Sequence, residues 1–289
     1  MTTIRSGSAQ NRWRRRSLAE NTVPDSFDLT RYLERIRHSG STAATLSTLN
    51  ALTEAHAESV PFENVDVLLR RAIHLEPAAL YEKIVTHQRG GYCFELNGLF
   101  LELLQRLGFD ARPIGARVRL GEPDRSVLPR RTHLLIEVRI DGATWITDVG
   151  VGAASLTHAL RLQPDVEQPT PHEPRRLQQQ GDRWFHQIRR DGIWSDVYEF
   201  TRDDFPLVDR QLANWYTSTC PDSPFLTDLS VALAQPQGER ITLKNREFTR
   251  RAPDGTTRRH VLESEAQRLR VLERSFGIQL PARTQLPPK

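Results

Sequence analysis

Apolar residues recur first at helical and then at alternating spacing along the chain. Leu29, Tyr32, Leu33 and Ile36 stand at i, i+3, i+4 and i+7 and predict a helix. Ser26 or Asp28 is its candidate cap, Gly40 its stop, and order is expected from about Asp25. Leu46, Leu49 and Leu52 carry the same period to His56, and Pro61 breaks it. Leu80, Ile84 and Val85 predict a further helix ending at Gly90-Gly91. The clearest stripe follows at Leu96, Leu99, Phe100, Leu103, Leu104 and Leu107, closed by Gly108 as a C-terminal cap. Cys93 stands at or just before the first turn of that helix.

From Arg112 onward the period becomes two. Leu134, Ile136, Val138 and Ile140 alternate with His133, Leu135, Glu137 and Arg139. Asp141-Gly142 is a two-residue hairpin turn, and Trp145 to Val149 return as the partner strand. Further strands are expected at 184–188 and 194–200, and a proline-rich polar loop at 163–174. The end mixes a strand at 241–243 with a helix at 263–272. Helices first, strands next and a mixed end indicate an α+β protein.

Composition narrows the class. The chain has 289 residues, 38% hydrophobic and 26% charged, which suits a folded globular protein. No apolar stretch approaches the ~20 residues of a membrane helix. The formal charge of +4 lies in one arm: Arg5, Arg12, Arg14, Arg15 and Arg16 face only Glu20 within residues 1–20, leaving a neutral body. That is poor support for a surface tracking nucleic-acid phosphates. The arm reads as a disordered extension over 1–24; its twin arginines lack the apolar segment of an export signal, and an organelle transit peptide is the other reading. Cys93 and Cys220 are the two cysteines, so no disulfide framework is expected and a reducing compartment is.

The hairpin register places chemistry. If Ile140 pairs with Ala143, Val138 faces Trp145, Leu134 faces Val149, Leu135 faces Asp148 and His133 faces Gly150. Asp148 is then the diagonal neighbour of His133 on one face, unless a bulge shifts the register. A carboxylate that orients an imidazole leaves the other ring nitrogen to take a proton from a nucleophile. Cys93 at a helix start, where the dipole and free N–H groups favour a thiolate, is the candidate. Plainer readings stay open: a small packing cysteine, a satisfied His–Asp pair, glycines that only make a turn. Cys220 precedes Pro221 in a polar stretch and has no evident base.

The stretch Arg89-Gly90-Gly91-Tyr92-Cys93-Phe94-Glu95-Leu96-Asn97 resembles the arylamine N-acetyltransferase family. It is joined in order by Pro61-Phe62-Glu63-Asn64, Arg131-Thr132-His133-Leu134 and Thr147-Asp148-Val149-Gly150. Residues 218–225 and Leu243-Lys244-Asn245-Arg246 resemble the family's third part, and the likeness runs from about Phe27 to Leu280. The resemblance implies a helical bundle over 25–110, a β-barrel domain over 111–210 and an α/β lid over 211–289. It implies a Cys93–His133–Asp148 triad arranged as in cysteine proteases and transglutaminases, and an Arg89–Glu63 salt bridge that fixes the active-site helix. Phe62, Tyr92, Val118 and Val151 would line the acceptor pocket, and Thr217 and Ser218 would contact CoA. One departure stands out: Gly150-Val151-Gly152-Ala153-Ala154-Ser155 lacks the aromatic and the proline common in the family, which removes a large ring from the acceptor wall.

The implied reaction is ping-pong acetyl transfer from acetyl-CoA through Cys93 to an aromatic amine, hydrazine or arylhydroxylamine. It needs no metal, nucleic-acid or membrane partner, and is placed in the cytoplasm. An amide synthase of the same family closing a polyketide macrolactam, a triad hydrolase or transglutaminase, and a non-catalytic binding module are the competing readings.

Overall fold

The computed structural model describes residues 27–281 and 284–287. The basic arm, Asp25 and the candidate cap Ser26 lie outside them. Helix α1 spans Leu29–Arg35, with the Asp28 side chain accepting from Arg31 N. It ends at Ile36, well before Gly40, because Arg37 already takes a positive φ of 58°. Helix α2 covers Leu46–Ser59, capped by Thr45 and stopped ahead of Pro61. Strand β1 is only Phe62–Glu63, and a single turn α3, Val65–Leu68, follows. Helix α4, Pro77–Tyr81, has proline at its first turn, where a missing N–H costs nothing, and passes into a π-turn at Glu82–Thr86. The periodic stretch therefore stops at His87 rather than at Gly90. Arg35 ties these pieces together, donating to Ser59 O at 2.7 Å and Ile84 O at 3.0 Å. Helix α5, Cys93–Arg106, ends at Leu107, and Gly108 takes the left-handed conformation expected of it.

Seven strands form an almost closed sheet in the order β5-β4-β3-β2-β8-β7-β6. They are β2 Asp110–Val118, β3 His133–Ile140, β4 Ala143–Thr147, β5 Leu160–Arg161, β6 Arg175–Gln180, β7 Arg183–Arg190 and β8 Ile193–Asp204. The β3–β4 hairpin has the expected register, Ile140 opposite Ala143 and Val138 opposite Trp145. Pairing stops at Ile136–Thr147, so the expected Leu135–Asp148 and His133–Gly150 pairs are not part of the ladder. The alternating pattern of β3 separates two buried faces. Leu134, Ile136 and Val138 pack on the stripe of α5, whereas Leu135 joins Ile146 and Tyr198 in a core inside the sheet. The two sheet edges meet through Gln168, whose backbone pairs with Arg175 and whose side chain bonds Arg161 N at 2.7 Å and Arg161 O at 3.0 Å. Covering the edges in this way satisfies groups that would otherwise be left unpaired.

The C-terminal part holds helix α6 (Leu207–Thr219), strands β9 (Ser230–Ala234), β10 (Arg240–Lys244), β11 (Glu247–Arg251) and β12 (Thr257–Val261), and helix α7 (Glu265–Phe276). The apolar residues Leu207, Val208, Leu212 and Trp215 of helix α6 are exposed, so no inward stripe announces this helix in the sequence. The second sheet runs β1-β9-β10-β11-β12. Its first strand comes from the N-terminal helical stretch and pairs with β9, Glu63 opposite Val231 and Phe62 opposite Ala232, so the sheet joins parts of the chain far apart in sequence. No helix among the described residues is long and apolar enough to cross a membrane.

Candidate active site

The helix carrying Cys93 begins on a crowded backbone. Glu63 N donates to Gly91 O at 2.8 Å, and a Cβ on Gly90 would lie 2.0 Å from Pro61 O, so only glycine allows this approach. Tyr92 is the N-cap; its N–H donates to the Glu95 carboxylate at 3.0 Å, and Lys83 holds the other Glu95 oxygen at 2.6 Å. Beneath, Arg89 donates to Glu63 through Nε at 2.9 Å and Nη2 at 2.6 Å, and Lys83 reaches Asp66 at 2.8 Å. The expected Arg89–Glu63 pair is thus present and buried, but it is part of a charge network that also holds Lys83, Asp66, Glu95 and, through Asp66, Arg71. Burial would raise the Asp66 carboxyl; Lys83 and Arg89 overrule it and bring it down to about 2. For Glu95 burial wins, and its carboxyl is raised despite Lys83.

His133 opens β3, and Asp148 follows the end of β4. Their side chains meet at 2.7 Å, His133 Nε2 to Asp148 Oδ2. The other carboxylate oxygen accepts from Asn97 Nδ2 at 2.7 Å and from Gly150 N at 2.9 Å. Asn97 also donates to Leu134 O at 2.6 Å and accepts from Val149 N at 2.9 Å. It lies one turn beyond Cys93 on the same face of α5, so a single helix sets both the thiol and the carboxylate. Burial alone would lower the His133 pKa; the charge and hydrogen bond of Asp148, with the adjoining Cys93 side chain, reverse this and raise it to about 10. Nε2 being taken by Asp148, Nδ1 is the nitrogen left for the thiol. The Tyr198 ring lies 5.3 Å from that of His133 and 4.6 Å from His186, centroid to centroid, which fixes the imidazole plane. Gly150 completes the contact, since a Cβ there would meet Asn97 Nδ2 at 2.7 Å and Cys93 Cα at 2.9 Å.

A cavity of about 490 Å³ opens onto Cys93 and His133. Phe62, Val118, Val151 and Thr217 line it, as do Arg130, Thr132 and Phe225. Tyr92, expected to line it, and Ser218, expected to contact CoA, face elsewhere. Tyr92 is buried edge-on to Phe94 and Phe225, its hydroxyl donating to the Asn214 side chain. Ser218 sits inside α6 and donates to Asn214 O at 2.7 Å, the usual back-bond of a helical serine. A larger cavity of about 720 Å³, between α1, α2 and the end of α7, touches none of Cys93, His133 and Asp148. Among the described residues no group of three or more His, Cys, Asp or Glu is placed to hold a metal ion.

Asn97, Tyr198, Phe225 and Arg130 escaped the reading of the sequence. Asn97 had a signal, the four-residue step from Cys93; Tyr198 had none, since only the return of β8 beside β2 brings it to His133.

Comparison with known proteins agrees with this geometry. The family model described as N-acetyltransferase matches residues 45–285. The arylamine N-acetyltransferase of Escherichia coli K12 is 38% identical over 250 residues, 86% of this chain and 88% of that one. The arylamine N-acetyltransferase / N-hydroxyarylamine O-acetyltransferase of Salmonella typhimurium LT2 is 37% identical, covering 86% and 87%. The structure of Mycobacterium marinum arylamine N-acetyltransferase in complex with CoA superposes with a TM-score of 0.83 at 36% identity, covering 87% of this chain and 93% of that one. Taken with the buried Asp–His pair beside a helix-tip cysteine, these likenesses place the chain in the arylamine N-acetyltransferase family.

Proposed function

We propose that this protein transfers the acetyl group of acetyl-CoA to aromatic amines, hydrazines and arylhydroxylamines, by way of an acetyl-Cys93 thioester. The observation that carries the reading is the 2.7 Å His133–Asp148 bond beside the Cys93 thiol at the floor of a cavity. Family membership and the CoA complex of the M. marinum relative support the donor; the names of the E. coli and Salmonella relatives support the acceptors.

In the first half-reaction the sulfur attacks the thioester carbonyl carbon, and its proton rests on His133 Nδ1. The tetrahedral oxyanion is met by N–H groups at the start of α5, where backbone donors lack intrahelical acceptors. The carbon–sulfur bond to CoA breaks, and the CoA thiolate leaves with the proton of His133. In the second half-reaction the amine nitrogen attacks the acetyl-Cys93 carbonyl, His133 takes the amine proton, and collapse releases the amide and restores the thiol. An aryl amine is a weak but unprotonated nucleophile near neutrality, so activation of the acyl group matters more than activation of the amine. Of the residues lining the cavity, Arg130 is the cation available to a CoA phosphate, and Thr217 offers a nearby hydroxyl.

In this reading residues 25–110 supply the nucleophile, 111–210 the histidine and aspartate, and 211–289 the cover of the cavity. Two unpaired cysteines suit a reducing compartment, and we place the enzyme in the cytoplasm. Rapid mixing with acetyl-CoA alone tests the mechanism: wild type releases one equivalent of CoA as a burst and Cys93→Ala releases none. Turnover by Cys93→Ala would overturn it. Sustained CoA release without any amine would point to a hydrolase instead.

A further inference from the structure

The wall of the cavity at Val151, Gly152 and Ala153 belongs to a loop that leaves Asp148 and returns to it. Leu156 N donates to Asp148 O at 2.7 Å, and Val151 N donates to Ser155 Oγ at 3.1 Å. Behind the wall, three consecutive carbonyls face three arginines. Ala153 O accepts from Arg190 Nη2 at 2.7 Å, Ala154 O from Arg175 Nη1 at 2.9 Å, and Ser155 O from Arg240 Nη2 at 2.9 Å. The same guanidiniums converge on one carboxylate: Glu173 accepts from Arg190 Nη2 at 2.8 Å, Arg175 Nη2 at 3.0 Å and Arg240 Nη2 at 2.8 Å. Arg175 opens β6, Arg190 closes β7 and Arg240 opens β10 of the other sheet, while Glu173 ends the proline-rich loop.

We propose that Glu173, Arg175, Arg190 and Arg240 form a positioning clamp that fixes the Val151–Ala153 wall and thereby sets which amine shapes the acetylated enzyme accepts. The inference rests on the acetyl-transfer reading above. Gathering three cations around one largely enclosed carboxylate is a poor route to stability, because apolar packing of the same volume does as well or better. What such an array supplies is geometry. A guanidinium is a rigid planar fork, and each of these binds Glu173 with one edge and a loop carbonyl with a donor of the same plane. Burial would raise the Glu173 carboxyl, but Arg240 and Arg175 hold it well below the usual range, so the hub of the clamp stays ionised. None of the four touches the triad; Glu173, Arg190 and Arg240 act through the loop, and Arg175 also lies 3.4 Å from His186, which packs on Tyr198 behind His133. Asp148 itself is held separately, by Asn97 and Gly150.

The test uses the full chain with Arg190→Lys, which keeps the charge at a partly exposed position but loses the fork, and with Glu173→Gln as the stronger perturbation. Each is assayed for the CoA burst with acetyl-CoA alone, and for kcat and KM with a single-ring aniline and a fused three-ring arylamine. Losing one hydrogen bond's worth of wall contact should raise KM for the single-ring amine about fivefold and shift the ratio of kcat/KM between the two amines by a similar factor. The burst rate should stay within about twofold of wild type, since acetylation of Cys93 does not depend on the shape of the acceptor wall. A folded Arg190→Lys with an unchanged ratio overturns the clamp, and so does a parallel loss in burst and turnover, which marks a merely structural role. If Glu173→Gln does not fold, Arg190→Lys alone decides. A wild type without a burst refutes the acetyl-transfer reading itself, and is recognised before any variant is compared.

Discussion

Asp148→Asn is the sharpest probe of the site, because the surrounding donors dictate how the new amide must sit. In the wild type, one carboxylate oxygen accepts from Asn97 Nδ2 and Gly150 N, and the other faces His133 Nε2 at 2.7 Å. The asparagine oxygen has to keep the first position, where two N–H groups point at it. Its NH2 group then faces His133 and can only donate. Nε2 is forced to accept, the ring proton moves to Nδ1, and Nδ1 can no longer take the proton of Cys93. The imidazole also loses the neighbouring charge that raises its pKa to about 10. An inverted tautomer of this kind costs a catalytic triad roughly 10⁴-fold in rate, so the CoA burst in stopped flow should slow by about 10³–10⁴-fold. The protein should stay folded, since exchanging one charged hydrogen bond for a neutral one costs only about 1–3 kcal/mol. A urea titration alongside the burst separates the two effects. A folded Asp148→Asn that acetylates within about tenfold of wild type would refute the orienting role of the carboxylate.

Other perturbations follow from the same geometry. Arg89→Ala strands Glu63 in the interior and should cost about 3–5 kcal/mol in urea unfolding; a loss below about 1 kcal/mol would mean that the charge network is not holding the helix start. The folded pKa of His133 lies above its ordinary value of 6.5, so its contribution to stability is complete below that pH and vanishes as pH climbs toward about 10. Urea midpoints of wild type should therefore fall more steeply across that window than those of His133→Gln, and parallel curves would count against the ion pair. Gly90→Ala places a methyl 2.0 Å from Pro61 O, and the backbone must part to admit it; soluble protein with an undisturbed melting temperature would contradict that contact. Val151→Phe puts a ring into the cavity of about 490 Å³ and should lower kcat/KM for fused-ring amines while sparing single-ring ones, as a steady-state panel would reveal.

Much of this was legible in the sequence, for local reasons. The stripe from Leu96 to Leu107 and the Asp141-Gly142 turn are short-range signals, and both produce the elements expected of them. Cys93 comes with the helix, and His133 and Asp148 come with the hairpin, even though the ladder ends at Thr147 and Asp148 reaches the histidine from just beyond it. What stayed hidden depends on long-range assembly. Tyr198 meets His133 only because β8 returns beside β2, and the Glu173 cluster needs three strands from two sheets. Tyr92 and Ser218 miss the cavity because their hydroxyls find Asn214, a residue of the unforeseen helix α6. Alternation along β3 was visible, but that both of its faces are buried follows only from what packs on each side.

The brief strand β1 has a consequence for how the protein comes into being. Phe62 and Glu63 hydrogen-bond across to Ala232 and Val231, and Asn64 reaches Phe225 O and Asp228 O while receiving Ser230 N. The ground on which the nucleophile rests is therefore finished by residues synthesised more than 130 positions after Cys93. A chain still emerging from the ribosome can build its helices and much of its barrel, but not the seat of its sulfur. Reactivity should switch on only once β9 has been made, and a nascent chain stalled before it should carry a thiol without an enzyme around it.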